Sequence, residues 1–445
     1  MDHLLSITSE SYRRFRQPLT ELLEEAKHQR TCHAVTDQDW IDNGLIRVLK
    51  HEISGRAFLQ DVFNDTSGEA GLSVGQFFDA LKSSRRNTHL RGLLDQYLKS
   101  TPRDHRALPG PANFPALDDF EIFAGDGHFH AASSHDERDM KGRKTAVGHL
   151  YTYNLRNFTC NHLALSNRKE PLELQPGRIK KRKKTDKSHD MTVLKSLDAK
   201  TLRQGATKGK KTLYIWDKAG IDFVQWYRWK QGSAIYFLSL EKSNMVPMSP
   251  ASLEFDKEDP VNAGIISDEL AGYGGVALLR RIVYLCPETG RELIFLTNLN
   301  DIKKYPPGLI AQLYRMRWDI EKVFDVFKNK FGEIKAWAKS KCAKEMQALF
   351  ITLAHNLLTR FEDEIQGGID LKNETNEKRQ KARLSEARKK VTELGQCLPK
   401  LYEDWQRIKQ TGVTFIRWLR GQLFVTSSWL ESLALLRRTY EKFKA

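Results

Sequence analysis

The spacing of apolar residues divides the chain into helix-like and strand-like stretches. Residues 1–115 show helical spacing, with Leu45, Ile46 and Leu49 on one face of a predicted helix. Ser73 stands where a further helix would begin, because serine is a favoured N-cap residue. Pro and Gly residues between 101 and 115 are typical of a linker. We therefore predict an N-terminal helical region that ends near residue 115.

Beyond the linker the apolar residues alternate or follow one another closely, which is typical of strands. The pattern predicts a meander of three strands at 120–131, 146–155 and 157–165, then strands at 211–216 and 234–240. Helices are predicted at 191–202 and 221–230, and residues 241–300 are β-rich. The predicted fold class is α/β, with a core at 116–345, a β-rich insertion at about 241–300 and a helical region at 346–445.

A long helix is predicted from about residue 307 to 331. It carries Tyr314, Arg317, Glu321 and Lys328 at offsets of zero, three, seven and fourteen. These four directions fall within about 60° of one another, so the side chains would form one stripe about 20 Å long. A neighbouring stripe is apolar and suits packing on a sheet; it contains Leu313, Ile320, Phe324, Phe327 and Phe331. The alternative is an ordinary amphipathic helix with an Arg317–Glu321 ion pair.

Two upstream acids favour a functional interpretation of this helix. Asp126 lies in the first strand of the meander, and Asp217 directly follows the predicted strand at 211–216. Two divalent ions close together require several carboxylates from separate elements. An Asp on the first strand, an Asp after the fourth and Glu321 on a late helix form the arrangement of a ribonuclease-H-like metal site. Either Asp alone is more often a turn or cap residue.

The charge of the chain points to a polyanionic partner. The 445 residues include 72 Lys and Arg against 56 Asp and Glu, for a net charge of +16. Basic side chains that neutralise phosphates release counterions, so such chains commonly bind nucleic acid. A basic run at 178–187 is either a solvated loop or a phosphate contact. The mixed-charge stretch at 371–390 is either a solvated helix or a disordered loop.

Cysteine usage and hydropathy bear on the compartment. Five cysteines are scattered without a C-x-x-C pair, which argues against a disulfide framework and fits a reducing cytosol. The N-terminus has no apolar signal segment, and no stretch of about 18 apolar residues occurs. We expect a soluble intracellular protein without a membrane partner.

Two further sets of residues have competing interpretations. Trp226, Trp229 and Trp318 are candidates to stack on a flipped base, although a core role is more common for tryptophan. A transition-metal site built from histidines is a second possibility. It would use His128, His130 and His135.

The spacing Tyr314-x2-Arg317-x3-Glu321-x6-Lys328 resembles the Y-R-E-K signature of DDE transposases of the bacterial insertion-sequence-four family. The resemblance covers about residues 70–360 and includes the segment TNL at 297–299 before the helix. Two positions depart from the family pattern. His128 stands where a small hydroxyl residue is usual, and Ala219 precedes Gly220 in the turn after Asp217.

The resemblance implies DNA cleavage at transposon ends and strand transfer into target DNA, in a cut-and-paste reaction through a hairpin intermediate. Asp126, Asp217 and Glu321 would be the catalytic carboxylates that hold Mg²⁺, with Mn²⁺ as a substitute. Tyr314 and two basic residues would contact DNA near the cut; these are Arg317 and Lys328.

The resemblance also implies particular partners. The N-terminal region would recognise terminal inverted repeats, and the C-terminal region would pair two copies in a homodimeric synaptic complex. The protein would be a cytoplasmic, nucleoid-associated bacterial endonuclease and recombinase. The alternatives are a non-enzymatic transposase-derived DNA-binding protein or inhibitor, and a nuclease on the same core without strand transfer.

Overall fold

The protein is described by a computed structural model. It describes residues 9–25, 35–51, 54–66, 72–101, 110–138, 142–166, 190–275, 277–369, 374–404 and 412–442. The basic run at 178–187 lies outside the described residues, as do most of the linker residues. No helix among the described ranges is long and apolar enough to cross a membrane.

Helices dominate the two ends of the chain, and strands dominate its middle. The helices are α1 (Glu10–Glu25), α2 (Asp37–Lys50), α3 (Gly55–Asp65), α4 (Val74–Ala80), α5 (Ser84–Ser100), α6 (Asp190–Ser196), α7 (Ala199–Leu202), α8 (Phe223–Ser233), α9 (Pro307–Arg315), α10 (Trp318–Asn329), α11 (Lys341–Ile369), α12 (Glu374–Glu393), α13 (Lys400–Asp404), α14 (Val413–Gln422) and α15 (Trp429–Lys442). The strands are β1 (Phe120–His130), β2 (Val147–Asn154), β3 (Cys160–Leu165), β4 (Lys211–Trp216), β5 (Ile235–Leu240), β6 (Met248–Ser252), β7 (Ile265–Tyr273), β8 (Ala277–Leu285) and β9 (Glu292–Thr297).

All nine named strands form one mixed, mostly antiparallel sheet. Its order is β3-β2-β1-β4-β5-β9-β8-β7-β6. The meander β1-β2-β3 is antiparallel, whereas β4 and β5 run parallel to β1. The β-rich stretch predicted at 241–300 extends this sheet, because β9 pairs with β5 and β6 forms the exposed edge. The mixed α/β architecture is compatible with a ribonuclease-H-like fold.

Helices cover both faces of the sheet and create two cores. The larger core joins the N-terminal helices to one face of the sheet, to α9–α11 and to the C-terminal helices. The smaller core lies on the opposite face, against the segment from α6 to α8. Side chains alternate along a strand, so Ile122 and Ala124 of β1 enter the larger core and Phe123 enters the smaller one.

Local chemistry explains where several elements begin. Ser73 caps α4 in a capping box. Its side chain accepts a hydrogen bond from Gln76 N, and the Gln76 side chain accepts one from Ser73 N. The predicted N-cap is therefore confirmed. The charged stretch at 371–390 is helical in its described part, since α12 begins at Glu374.

Two predicted helices are divided. The predicted helix at 191–202 is the pair α6 and α7, interrupted before Asp198, which caps α7. The prediction of one continuous helix at 307–331 is wrong, because α9 ends at Arg315 and α10 begins at Trp318. The amides of Met316 and Arg317 bond to carbonyls three residues earlier, which tightens the turn. This break contains neither Pro nor Gly, so local residue preferences do not predict it.

Candidate active site

Strand pairing brings Asp126 and Asp217 together. Strands β1 and β4 are parallel, and their last paired residues are Gly125 and Trp216. Asp126 follows Gly125 within β1 and Asp217 directly follows β4, so they occupy neighbouring positions, since parallel strands lie about 5 Å apart. Both lie on the face of the larger core, because Ala124 and Ile215, two residues earlier on each strand, enter that core.

Helix α10 adds Glu321 to the same face. Glu321 lies in the first turn of α10, where the helix dipole favours negative charge. Arg317, at the N-terminal boundary of α10, connects this helix to the sheet. Its guanidinium donates to Asp126 Oδ2 at 2.8 Å and to Glu321 Oε1 at 2.9 Å. The Arg317 side chain is only 9% exposed, so water screens these two ion pairs weakly.

The electrostatic environment of Asp126 is that of a crowded acidic site. Burial raises its pKa above the ordinary value, and the neighbouring charges of Asp217 and Glu321 raise it further. The positive charge of Arg317 and a hydrogen bond from Gly127 N, 2.8 Å from Asp126 Oδ1, act in the opposite direction. Asp126 and Glu321 thus share one guanidinium, and Asp217 acts on Asp126 through its charge. Clusters of oxygen ligands with this excess of negative charge suit Mg²⁺ or Mn²⁺.

The backbone after Asp217 forms a single 3-10 turn over residues 218–220. Asp217 Oδ1 accepts a hydrogen bond from Lys218 N at 2.6 Å, and Gly220 packs against Trp216. A Cβ atom on Gly220 would lie 2.7 Å from Trp216 Cβ, so glycine is needed one position later than in the family pattern. The departure at Ala219 is therefore accommodated by this turn.

An open cleft lies beside Asp217. Its volume is about 460 Å³, and its lining contains two basic side chains. The lining residues are Asp217, Lys218, Ala219, Lys242, Ser243 and Asn244. A basic wall next to a carboxylate suits an anionic substrate with a metal ion between them.

The four residues of the predicted polar stripe have different environments, because the helix breaks between Tyr314 and Glu321. Tyr314 is buried against Phe295, with ring centroids 5.2 Å apart. Burial raises its pKa to about 12, so its hydroxyl stays protonated at neutral pH. Lys328 is exposed at the far end of α10. The prediction that all four side chains share one helical stripe is therefore wrong, although Tyr314, Arg317 and Glu321 do lie near the two aspartates.

The three candidate tryptophans divide by burial. Trp226 and Trp229 belong to the smaller core. Trp318 is 53% exposed, and the guanidinium of Arg317 lies 5.4 Å from its ring centroid. Trp318 is therefore the one of these three whose ring is free to stack on a base beside the acidic cluster.

The predicted histidine set is only partly brought together. His135 is exposed, whereas His130 is buried next to His149 of β2 and Glu333, which follows α10. His128 packs on Phe324 of α10, with ring centroids 4.8 Å apart. His128, which departs from the family pattern, therefore packs against the helix that carries Glu321.

Sequence reasoning missed His149, Glu333 and the role of Gly125. Strand alternation puts His128 and His130 on one face, but only the pairing register identifies His149 as the residue opposite His128. Gly125 admits the ring of Trp216, since an added Cβ would lie 2.0 Å from Trp216 Cζ3. The G-D-G sequence around Asp126 is a signal for such close approach that could have been used.

Part of the chain is similar to a known protein family. Residues 162–357 match the family model described as the transposase DDE domain. The matched segment contains Asp217 and Glu321 and begins after Asp126. No curated protein matches the chain. The match covers less than half of the chain and supports a DDE transposase, an enzyme of the nuclease and transposase type. DDE transposases in general bind DNA and use divalent metal ions.

Proposed function

We propose that this protein is a cut-and-paste transposase that cleaves DNA at transposon ends and joins those ends to target DNA. Asp126, Asp217 and Glu321 are its catalytic and metal-binding residues in this proposal. The observation that carries it is the convergence of β1, β4 and α10 on one face of the sheet, where Arg317 pairs with Asp126 and Glu321 and the charge of Asp217 acts on Asp126.

The residues present fit Mg²⁺, with Mn²⁺ as a substitute. Their donor set is oxygen only, and the pKa of Asp126 is raised by burial and further by the charges of Asp217 and Glu321, which a divalent cation would neutralise. When bound, such ions activate a water or 3′-hydroxyl nucleophile and stabilise the leaving oxygen of an in-line phosphoryl transfer.

The chain's own residues orient these carboxylates and the DNA. Arg317 holds Asp126 and Glu321 in a fixed relation through its planar guanidinium. Its Nε atom is buried without a hydrogen-bond partner among the described residues. A phosphate oxygen beside the scissile bond would satisfy it. Tyr314 donates a hydrogen bond from its hydroxyl to a phosphate, and Lys328 contacts the DNA backbone further along.

The cleft beside Asp217 offers a path for the cleaved strand. Lys218 and Lys242 line it and would neutralise phosphates there. Exposed Trp318 lies beside the Arg317 guanidinium and would stack on a base flipped out during hairpin formation. Hairpin cleavage needs such a displaced base, because the two strands must bend sharply at the cut.

We assign the remaining regions by the same reasoning. Residues 1–115 recognise the terminal inverted repeats, 116–345 form a ribonuclease-H-like catalytic core with its β-rich insertion, and 346–445 pair two copies in a homodimer. The spacing of Tyr314, Arg317, Glu321 and Lys328 favours the insertion-sequence-four family within the DDE transposases.

The test compares wild type with Glu321→Gln on DNA that carries candidate terminal repeats, in the presence of Mg²⁺. The matched control is Asp325→Asn, which removes a carboxylate from the next turn of α10. We expect wild type and control to give nicks, hairpins and strand-transfer products. We expect Glu321→Gln to lower cleavage by at least about 1000-fold, because removing one metal ligand removes several kcal/mol of transition-state stabilisation.

The products separate this proposal from its alternatives. Binding of end DNA without any cleavage by wild type would indicate a non-enzymatic DNA-binding protein. Cleavage without joined products would indicate a nuclease on the same core. Equal cleavage by wild type and Glu321→Gln would show that Glu321 is not catalytic.

A further inference from the structure

We propose that His130, His149 and Glu333 form a second metal site that takes a divalent transition-metal ion such as Zn²⁺. One ligand atom from each residue lies within 4.8 Å of the others, and all three residues are buried. They come from β1, from β2 and from the segment after α10. The site is separate from the carboxylate cluster, and the inference does not depend on the proposed function.

The geometry of the donor atoms suits a tetrahedral ion. His130 Nε2 and His149 Nε2 face each other at 3.0 Å, and Glu333 Oε1 lies 3.9 Å from His130 Nε2. Ligands about 2.0–2.1 Å from a tetrahedral zinc ion are about 3.4 Å from one another. Two imidazoles and one carboxylate are a common zinc donor set, with a fourth position left for water.

Glu333 supplies an independent reason to expect a cation. Its side chain is fully buried, and among the ion pairs of the described residues none joins it to a lysine or arginine. Its Oε1 atom accepts a hydrogen bond from the Tyr151 hydroxyl at 3.3 Å. Its Oε2 atom lies 3.2 Å from His128 Nε2 without forming a hydrogen bond, and both of these atoms remain unsatisfied. A buried carboxylate is costly unless it is paired or coordinates a metal.

The outer ring nitrogens have partners that would orient both histidines. His130 Nδ1 lies 3.0 Å from the carbonyl oxygen of Ala131, and His149 Nδ1 lies 3.0 Å from His162 Nε2. Metal-binding histidines usually donate their second N–H to such acceptors, which turns the Nε2 lone pair toward the ion. The same distances also permit a metal-free chain in which His149 Nε2 donates to His130 Nε2. The experiment must separate these two states.

An ion at this site would link the segment after α10 to strands β1 and β2 of the sheet. Glu333 follows α10. His130 lies four residues after Asp126 on β1, and His149 lies two residues before the β2 residue that pairs with Asp126. His128 packs on Phe324 in between. The ion would therefore restrict how far Glu321 moves relative to Asp126, as a structural site acting beside the carboxylate cluster.

The test is a cobalt and zinc titration of the full-length protein after removal of metals with a chelator. We expect wild type to bind one Co²⁺ per chain with the visible spectrum of a tetrahedral site, and Zn²⁺ to displace it. Zinc should also raise the midpoint of thermal unfolding, because an ion bound only by the folded state stabilises it. We expect His130→Ala/His149→Ala to bind zinc more than about 100-fold more weakly.

Two controls separate this site from others. His135→Ala removes an exposed histidine nearby and should bind zinc as wild type does. Glu321→Gln removes a carboxylate from the other cluster and should keep the tetrahedral cobalt spectrum, which oxygen ligands alone do not give. The wild-type titration needs no variant, so it decides the question even if the double variant does not fold. A wild type without a tetrahedral cobalt spectrum or zinc-dependent stabilisation would show a metal-free histidine chain. Equal zinc binding by the double variant would show adventitious binding elsewhere.

Discussion

The burial of Asp126 disfavours ionisation of its carboxyl group. Because burial raises its pKa above the ordinary 3.8, the folded protein binds this proton more tightly than the unfolded chain. Stability therefore falls as pH rises through the interval above 3.8, and at neutral pH the ionised Asp126 destabilises the fold. We expect Asp126→Asn to raise the midpoint of thermal unfolding at pH 7 by roughly 1–3 °C while abolishing cleavage.

The pH and metal dependence of the difference in unfolding midpoint between wild type and Asp126→Asn test whether the buried charge causes it. Calorimetric scans of both proteins should show the gap shrinking as pH is lowered toward 4. Added Mg²⁺ should stabilise wild type but not Asp126→Asn, because the ion would neutralise the same charge. A less stable Asp126→Asn at pH 7 in metal-free buffer would mean that the ion pair with Arg317 outweighs the burial of the carboxylate.

Lys328 should act on DNA affinity without sequence preference. It is exposed at the end of α10, two turns beyond Glu321. Removing one phosphate contact weakens binding to all sequences about equally and lowers the slope of log K against log salt by about one. We expect this for Lys328→Gln in fluorescence titrations at several salt concentrations. Lys381→Gln, a matched exposed lysine on α12, should leave the slope unchanged; equal slopes for both variants would exclude a Lys328 contact.

At the scale of elements, the parallel pair β1 and β4 sets the distance between the two aspartates. Gly125 and Trp216 are opposite each other in this pair, and the indole ring occupies the space of a missing Cβ. We expect Gly125→Ala to push the strands or the ring aside and to lower cleavage by at least about 10-fold, since small misplacements of reacting groups are costly. Gly92→Ala is the control, because nothing lies within 4 Å of its Cβ. Cleavage by Gly125→Ala at the wild-type rate would show that the strand spacing tolerates the methyl group.

The strands were the elements that sequence patterns predicted best. Alternation and β-branched or aromatic content predict the meander and β4, and the structure confirms both. Asp126 and Asp217 could be singled out because one lies on the first strand and the other directly follows β4, where the backbone direction is known. The division between α9 and α10 could not be predicted, because nothing in the residues around Met316 disfavours a helix. At the break the Arg317 side chain donates a hydrogen bond to Asp126, which is distant in sequence.

The histidine and glutamate cluster escaped prediction for a related reason. His149 and Glu333 carry no local spacing that marks them as neighbours of His130. Their proximity depends on the register between β1 and β2 and on where the chain turns after α10. Such contacts are properties of the assembled sheet, so a single sequence read by periodicity predicts at most one member of the group.

At the scale of the whole molecule, α11 connects regions that the sequence separates. It packs on α2, α5 and α1 of the N-terminal region and on strand β3 at the edge of the sheet. Asn356 of α11 donates to the carbonyl oxygen of Cys160 at 2.9 Å and accepts from Cys160 N at 2.7 Å. The side chain thus satisfies both backbone groups of Cys160 at the start of an edge strand, which hinders pairing with another chain at that point.

The crossing of α2 and α11 offers a test of this connection. Gly44 lets the helices approach closely, and a Cβ there would lie 2.2 Å from Phe350 Cζ. The Phe350 ring is fully buried and packs edge-on against Trp40, so it has no free space to move into. We expect Gly44→Ala to lower the free energy of unfolding by about 1–3 kcal/mol despite the higher helix propensity of alanine.

Urea denaturation followed by tryptophan fluorescence and by far-ultraviolet circular dichroism would measure the effect. Because the N-terminal helices, the sheet and the C-terminal helices share the larger core, we expect both signals of Gly44→Ala to shift together to lower urea concentration. Gly368→Ala on α11 has open space at its Cβ and should not lower the midpoint. Separate transitions for the two signals would mean that the N-terminal helices unfold independently. In that case end recognition and catalysis would reside in parts of the chain that are only loosely coupled.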